Sequence, residues 1–340
     1  MIVSTELLQT ALCFLKRTAG SETEGPVFFM HQASGRLWLS IDQGHISTLV
    51  KVPAVGEIKP AFVPLNPIYY FTKNIKSRAI EITGEQNITA TSLSTQERLT
   101  VPATYAGPPE RPVFHAAEET IRTKDLLDPL DLVSLPLEEE DVVAVRGSRI
   151  SGYSQGIITE AALCLKDVDG LLPYPEARRL VKLLRLFPEG LKYSKGLGSE
   201  LRLCAEKAPV EIEITLRMDK LPSRLPSTLP LRPSFWVETG LFCQMLKRLG
   251  LITKGIPSKT MLEFDGLNLS VSAYNSHFTS SFSIGTQPLS FSACSISCRL
   301  RPLLSFVSAV RTTRRLYFCI SERIWLLRTN PAVMAIMCQK

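Results

Sequence analysis

One pattern constrains this chain more than any other, because it occurs three times. A proline-led amphipathic helix is followed by three short strands of alternating apolar and polar residues. PLNPIYYFTKNIKSR (64–78) precedes RAIEIT, NITATSL and ERLTVPA. EARRLVKLLRLF (176–187), entered through Pro175, precedes GLKYS, SELRLCA and VEIEITLRM. RLRPLLSFVSAVRTTRR (299–315) precedes LYFCIS, IWLLRT and AVMAIM. Proline suits a first helical turn, where its missing N–H has no intrahelical partner to lose. The period changes from 3.6 in the helices to 2 in the segments behind them, which predicts helix, strand, strand, strand. Pro67, Pro175 and Pro302 lie 108 and 127 residues apart, the spacing of domains and too long for a solenoid repeat.

Each copy also has a front half. TELLQTALCFLKR (5–17) and TGLFCQMLKRLG (239–250) read as helices, and TKDLLDPLDLVSL (123–135) as a weaker counterpart that Pro129 would kink. Strand-like GRLWLSID (35–42), DVVAVRG (141–147) and DGLNLSVSA (265–273) follow them. The middle copy has less chain between helix and strand, so lost strands are expected there. Proline clusters in AGPPERP (106–112) and LPSRLPSTLPLRP (221–233) mark linkers. The reading is an α+β chain of three similar domains, 1–113, 114–228 (abbreviated) and 229–340.

The net charge of +7 matters for where it sits. In EARRLVKLLRLF, Arg178, Lys182 and Arg185 fall in one arc with Arg179 at its edge, opposite Leu180, Leu183, Leu184 and Phe187. Such a face suits solvent, a membrane surface, an acidic partner or phosphates. The other predicted helices add Lys16, Arg17, Lys73, Lys76, Arg122, Lys124, Lys247, Arg248, Arg299, Arg301 and Arg311. If the helices share one side, these fifteen cations form a positive field that holds nucleic-acid phosphates without reading bases.

Other classes find little support. No window has the roughly 18 uninterrupted apolar residues of a membrane span, and MIVSTELLQT does not read as a secretory leader. Eight cysteines scattered through apolar stretches fit free thiols in the cytoplasm, and Cys294 and Cys298 alone make a poor metal site. Four histidines, at 31, 45, 115 and 277, have no acid or cysteine at triad or ligand spacing. GIPSKT (255–260) lacks the second glycine of a phosphate loop, and GLGS (196–199) sits between strands. No catalytic residue, metal or cofactor is therefore expected.

Along nearly its whole length the chain resembles the bacterial replicative sliding clamp, the beta subunit of DNA polymerase III. GRLWLSID with FVPLNPIYYFTKNI, VAVRGSRI (143–150), and LRPLLSFVSAV with LYFCISERIWLL and VMAIM are similar to family stretches in matching order. VAVRGSRI is set against the family's Val-Ala-Thr-Asp-Gly-His-Arg-Leu. The resemblance implies helices on an inner face, antiparallel sheets outside, and a head-to-tail homodimeric ring around double-stranded DNA. It implies a processivity factor that tethers polymerase, clamp loader and repair proteins at the nucleoid through a short peptide motif. The peptide pocket would use Gly147, Ser148, Arg149 and Ile150 with Val333, Met334, Ile336 and Met337. Ser148 stands in place of the family's histidine and Ile336 in place of its usual proline. A clamp-fold protein that does not encircle DNA is the other reading.

Overall fold

The computed structural model describes residues 1–20, 25–84, 86–107, 118–166, 168–196, 199–223, 225, 231–254, 256, 258–275, 278–289, 293–321, 324–330 and 332–337, the Lys207 side chain excepted. The first run of elements is β1 (Ile2–Ser4), α1 (Thr5–Ala19), β2 (Val27–Ala33), β3 (Arg36–Gln43), β4 (Ile46–Val55), β5 (Ala61–Pro64), α2 (Leu65–Asn74), β6 (Ala79–Gly84), β7 (Asn87–Ser92), β8 (Arg98–Pro102) and β9 (Thr104–Tyr105). The second is β10 (Glu119–Arg122), α3 (Thr123–Ser134), β11 (Val142–Arg146), β12 (Arg149–Ser154), β13 (Ile157–Ala162), β14 (Asp169–Pro173), α4 (Tyr174–Leu184), β15 (Gly190–Lys195), β16 (Glu200–Lys207) and β17 (Val210–Arg217). The third is β18 (Phe235–Glu238), α5 (Thr239–Ile252), β19 (Lys259–Phe264), β20 (Asn268–Tyr274), β21 (Thr279–Gly285), β22 (Gln287–Pro288), β23 (Cys294–Cys298), α6 (Leu300–Ala309), β24 (Arg315–Ile320), β25 (Ile324–Arg328) and β26 (Ala332–Met337). The three runs share one order, strand, helix, strands, helix and three strands of five or more residues, with the two-residue β9 added in the first.

The six helices and the nine strands behind the proline-led helices fall where periodicity places them. One expectation changes. Among the described residues the middle run has lost no strands: four lie between α3 and α4, as between α1 and α2. DVVAVRG is the first strand after its helix, whereas GRLWLSID and DGLNLSVSA are the second after theirs, so aligning the three made the middle copy look short. α3 carries Pro129 inside a single run over Thr123–Ser134, so the proline does not split the helix. Its missing N–H removes one bond to the Asp125 carbonyl, and burial of Leu126, Leu130 and Val133 holds the element together.

Contacts divide the chain into two compact units, Met1–Leu127 with Arg178–Asp219, and Asp128–Ala177 with Lys220–Lys340. The middle run is shared between them, and strand pairing gives the reason. In the first unit β17 pairs antiparallel with β4, so a 13-stranded sheet carries strands of the first and second runs. In the second unit β13 pairs antiparallel with β26, fusing strands of the second and third runs into a nine-stranded sheet, beside a four-stranded sheet of β21-β20-β19-β23. The two expected domain boundaries, near 113 and 228, lie outside the described residues.

Helix burial follows the apolar stripes. In the first unit α1 buries Leu8, Ala11, Leu12 and Leu15, while α4 buries Leu180, Leu183 and Leu184. Phe14 of α1 meets Phe187 edge to face at 5.8 Å. In the second unit Phe242, Leu246 and Leu249 of α5 and Leu303, Phe306 and Val307 of α6 share a core with stacked Phe235 and Phe318, 4.7 Å apart. Gly152 of β12 passes so close to α3 that a Cβ there would collide with the Val133 carbonyl oxygen. Only glycine permits that approach.

Candidate nucleic-acid interface and partner cavity

The cations expected to meet phosphates sit unequally. In the first unit α1 and α2 run antiparallel, tied by Gln9 Nε2 donating to the Thr72 carbonyl at 3.2 Å and Lys16 Nζ to Asn66 Oδ1 at 2.6 Å. Lys16 is half-buried and Arg17 exposed at the end of α1; Lys73 and Lys76 are exposed at the end of α2. The helix dipole favours cations at those C-terminal ends. On α4, Lys182 and Arg185, the latter just past its last turn, are exposed, while Arg178 and Arg179 are half-buried. Arg179 lies over the cap of α1: a Cβ at Gly20 would come 3.2 Å from its Nη2. Lys16, Arg17 and Arg179 are thus gathered at one helix end.

The first helix of the middle run departs from the pattern. Arg122 forms a bidentate pair with Asp125, at 2.8 and 3.0 Å, and α3 carries Asp128 and Asp131 against a single Lys124. Its face is acidic on balance. In the second unit Lys247 and Arg248 on α5, and Arg301 and Arg311 on and after α6, are exposed. Arg299 is engaged: its guanidinium donates to Glu138 at 3.0 Å and to Gln155 Oε1 at 3.3 Å.

The residues expected to line a peptide pocket divide between two ends of one sheet: Ile150 faces Ala161, which faces Ala332, so Ile150 and Val333 lie near one end, while Ile336 and Met337 lie at the other. Gly147, with φ of +56°, and Ser148 form the turn from β11 to β12. Ile336 and Met337 lie beside the turn from β12 to β13, with Ile157 opposite Ile336 and the Met337 N–H donating to the Gly156 carbonyl at 2.8 Å. Successive turns of a meander lie at opposite ends of the sheet, here about 17 Å apart for a strand of this length. The side chains also divide between faces. Ile150 is 1% exposed, and Met334 and Ile336 enter the helix-side core, while Val333 and Met337 join Tyr153, Ile158 and Leu326 on the other face. Arg149 and Ser148 are exposed at the far end.

What Ile336 and Met337 reach instead is a cavity of about 1170 Å³ in the second unit. Gln155, Gly156 and Ile157 form one wall; Gly250, Thr253, Lys254 and Ile256 from the end of α5 form another. Ser297 and Cys298 of β23 and Arg299 to Pro302 with Leu304 from the start of α6 close it, beside Lys259, Tyr274 and Glu138. Burial pushes the Cys298 thiol up to about 12, so at neutral pH it is a neutral wall atom. Sequence reasoning missed Gln155, Gly156, Lys254 and Lys259 because three separate places in the chain contribute them: the β12–β13 turn, the end of α5 and the start of β19. The one local signal was QG between two apolar runs, a hairpin turn like RGS before it.

No family model and no curated protein sequence matches the chain. Solved structures do. The DNA polymerase III beta subunit of Pseudomonas aeruginosa superposes with a TM-score of 0.83 at 13% identity, covering 100% of this chain and 99% of that one. That of Caulobacter crescentus gives 0.84 at 11%, covering 100% and 99%, and that of Thermotoga maritima 0.79 at 13%, covering 100% and 98%. This chain has the sliding-clamp fold. The sliding-clamp architecture accounts for the threefold element order and for the strand joints between runs. No described helix is long and apolar enough to cross a membrane, and no group of three or more His, Cys, Asp or Glu among the described residues could hold a metal.

Proposed function

We propose that this chain is a sliding clamp, a non-catalytic processivity factor that closes around duplex DNA as a head-to-tail homodimer. The observation that carries the reading is a rule of strand pairing. At both internal joints the third strand after a run's first helix pairs with the last long strand of the next run: β4 with β17, and β13 with β26. By the same rule β21 of the third run calls for β8 of a first run. Among the described residues both stand at sheet edges, β21 beside β20 only and β8 beside β7 only. An unpaired edge is a template for another chain, and a second copy supplies both missing partners at once.

The exposed cations of α1, α2, α4, α5 and α6 would then face phosphates without base readout. The cavity beside Met337 is the docking place for a short peptide of polymerase, loader or repair proteins, with work at the nucleoid. Its apolar walls suit side-chain anchors, and methionine adapts to several partners.

The test combines solution mass by light scattering with retention on nicked circular DNA before and after linearisation. A dimer that stays on circles and runs off linear ends is the expected result. A monomer that holds both forms alike, with affinity falling steeply as salt rises, would replace encirclement by direct phosphate gripping.

A further inference from the structure

The cavity in the second unit combines two properties that a neutral peptide site does not need together. Part of its wall is apolar, through Ile256, Leu304, Ile336 and Met337, yet Lys254, Lys259, Arg299 and Arg301 stand around it. Among the described residues one acid joins them, Glu138, and it is already bound to Arg299 at 3.0 Å. A duplex backbone is a poor occupant, because phosphates gain nothing from the leucine, isoleucine and methionine walls. A chain segment bearing carboxylates beside apolar side chains satisfies both surfaces.

Resting on the partner-docking part of the function proposed above, we infer that this cavity selects acidic peptides, and that Glu138 is a built-in competitor for them. Glu138 opens the run Glu138-Glu139-Glu140-Asp141, between α3 and β11. It holds Arg299 in the unliganded protein, and a partner carboxylate takes its place while apolar anchors fill the space beside Leu304 and Met337. The exchange substitutes one ion pair for another, so the apolar anchors and the remaining cations supply the net attraction. Specificity then comes from the penalty on partners that displace Glu138 without providing an acid.

The experiment uses the full chain and a short fluorescent peptide with two leucines and a phenylalanine interleaved with aspartates, its asparagine isostere, and a labelled DNA duplex. Anisotropy titrations at low and high salt are expected to show the aspartate peptide binding roughly fivefold or more tightly than the isostere at low salt, with the difference shrinking at high salt. Glu138→Gln should tighten the aspartate peptide roughly twofold to fivefold, and Arg301→Gln should weaken it. Equal binding of both peptides, still lost in Leu304→Ala, would overturn acid selection and leave docking at the cavity intact. Binding of neither peptide would overturn the docking reading itself. Displacement of the aspartate peptide by duplex at low salt would assign the four cations to phosphates and overturn the inference.

Discussion

At the residue scale, close approach and charge set the consequences of single changes. Gly152→Ala places a methyl group against the Val133 carbonyl, a backbone atom that cannot swing aside, so a loss of about 1–3 kcal/mol is expected in urea unfolding. Glu211 on β17 illustrates a pH effect. Its partial burial favours the neutral acid, but hydrogen bonds and charge from Lys51 and Arg36 outweigh that and hold its carboxyl below the ordinary value. A depressed carboxylate contributes stability that is present above its unfolded pKa of about 4.3 and is lost as pH falls through the lower folded value. Acid unfolding of Glu211→Gln should therefore begin at the same or lower stability at neutral pH and show a shallower decline below about pH 4; an unchanged acid limb would show that the ion pair does not couple to folding.

At the element scale, α4 is the helix whose sequence was most informative. Its apolar arc is buried and Lys182 and Arg185 are exposed, as the period required. If those two side chains face phosphates, Lys182→Gln with Arg185→Gln should reduce the salt slope of DNA binding by about 2, with circular dichroism unchanged. The acidic α3 predicts a contrast: Asp128→Asn should leave or slightly raise DNA affinity, measured in the same titration. Helices were legible because each carries its own stripe. The placement of the expected pocket residues was not, because Gly147 and Gly156 both mark tight turns in one meander, and a local motif does not say that β26 runs from the level of Ile150, at Ala332, to the Gly156 turn, at Met337.

For the whole molecule the decisive strands are β8 and β21. Ser281 and Ser283 are exposed on β21, which packs on the core through half-buried Phe282 and Ile284. If two copies join through these strands, Ser281→Lys with Ser283→Lys would set two cations at the edge that meets β8 of the second copy, a device that keeps edges apart. Light scattering should then show the mass shifting from dimer to monomer, with retention on circular DNA lost while binding to linear duplex at low salt persists. By itself the sequence determined the six helices, the strands behind them, their threefold order and the cationic faces, since periodicity is written in neighbouring residues. The joints between runs, the end of the sheet at which Ile336 and Met337 emerge, and the cavity with its four cations were decided only by tertiary structure. Pairings such as Glu211 with Lys51 join residues far apart in sequence, and a strand's own alternation fixes which face is buried without naming the partner beside it.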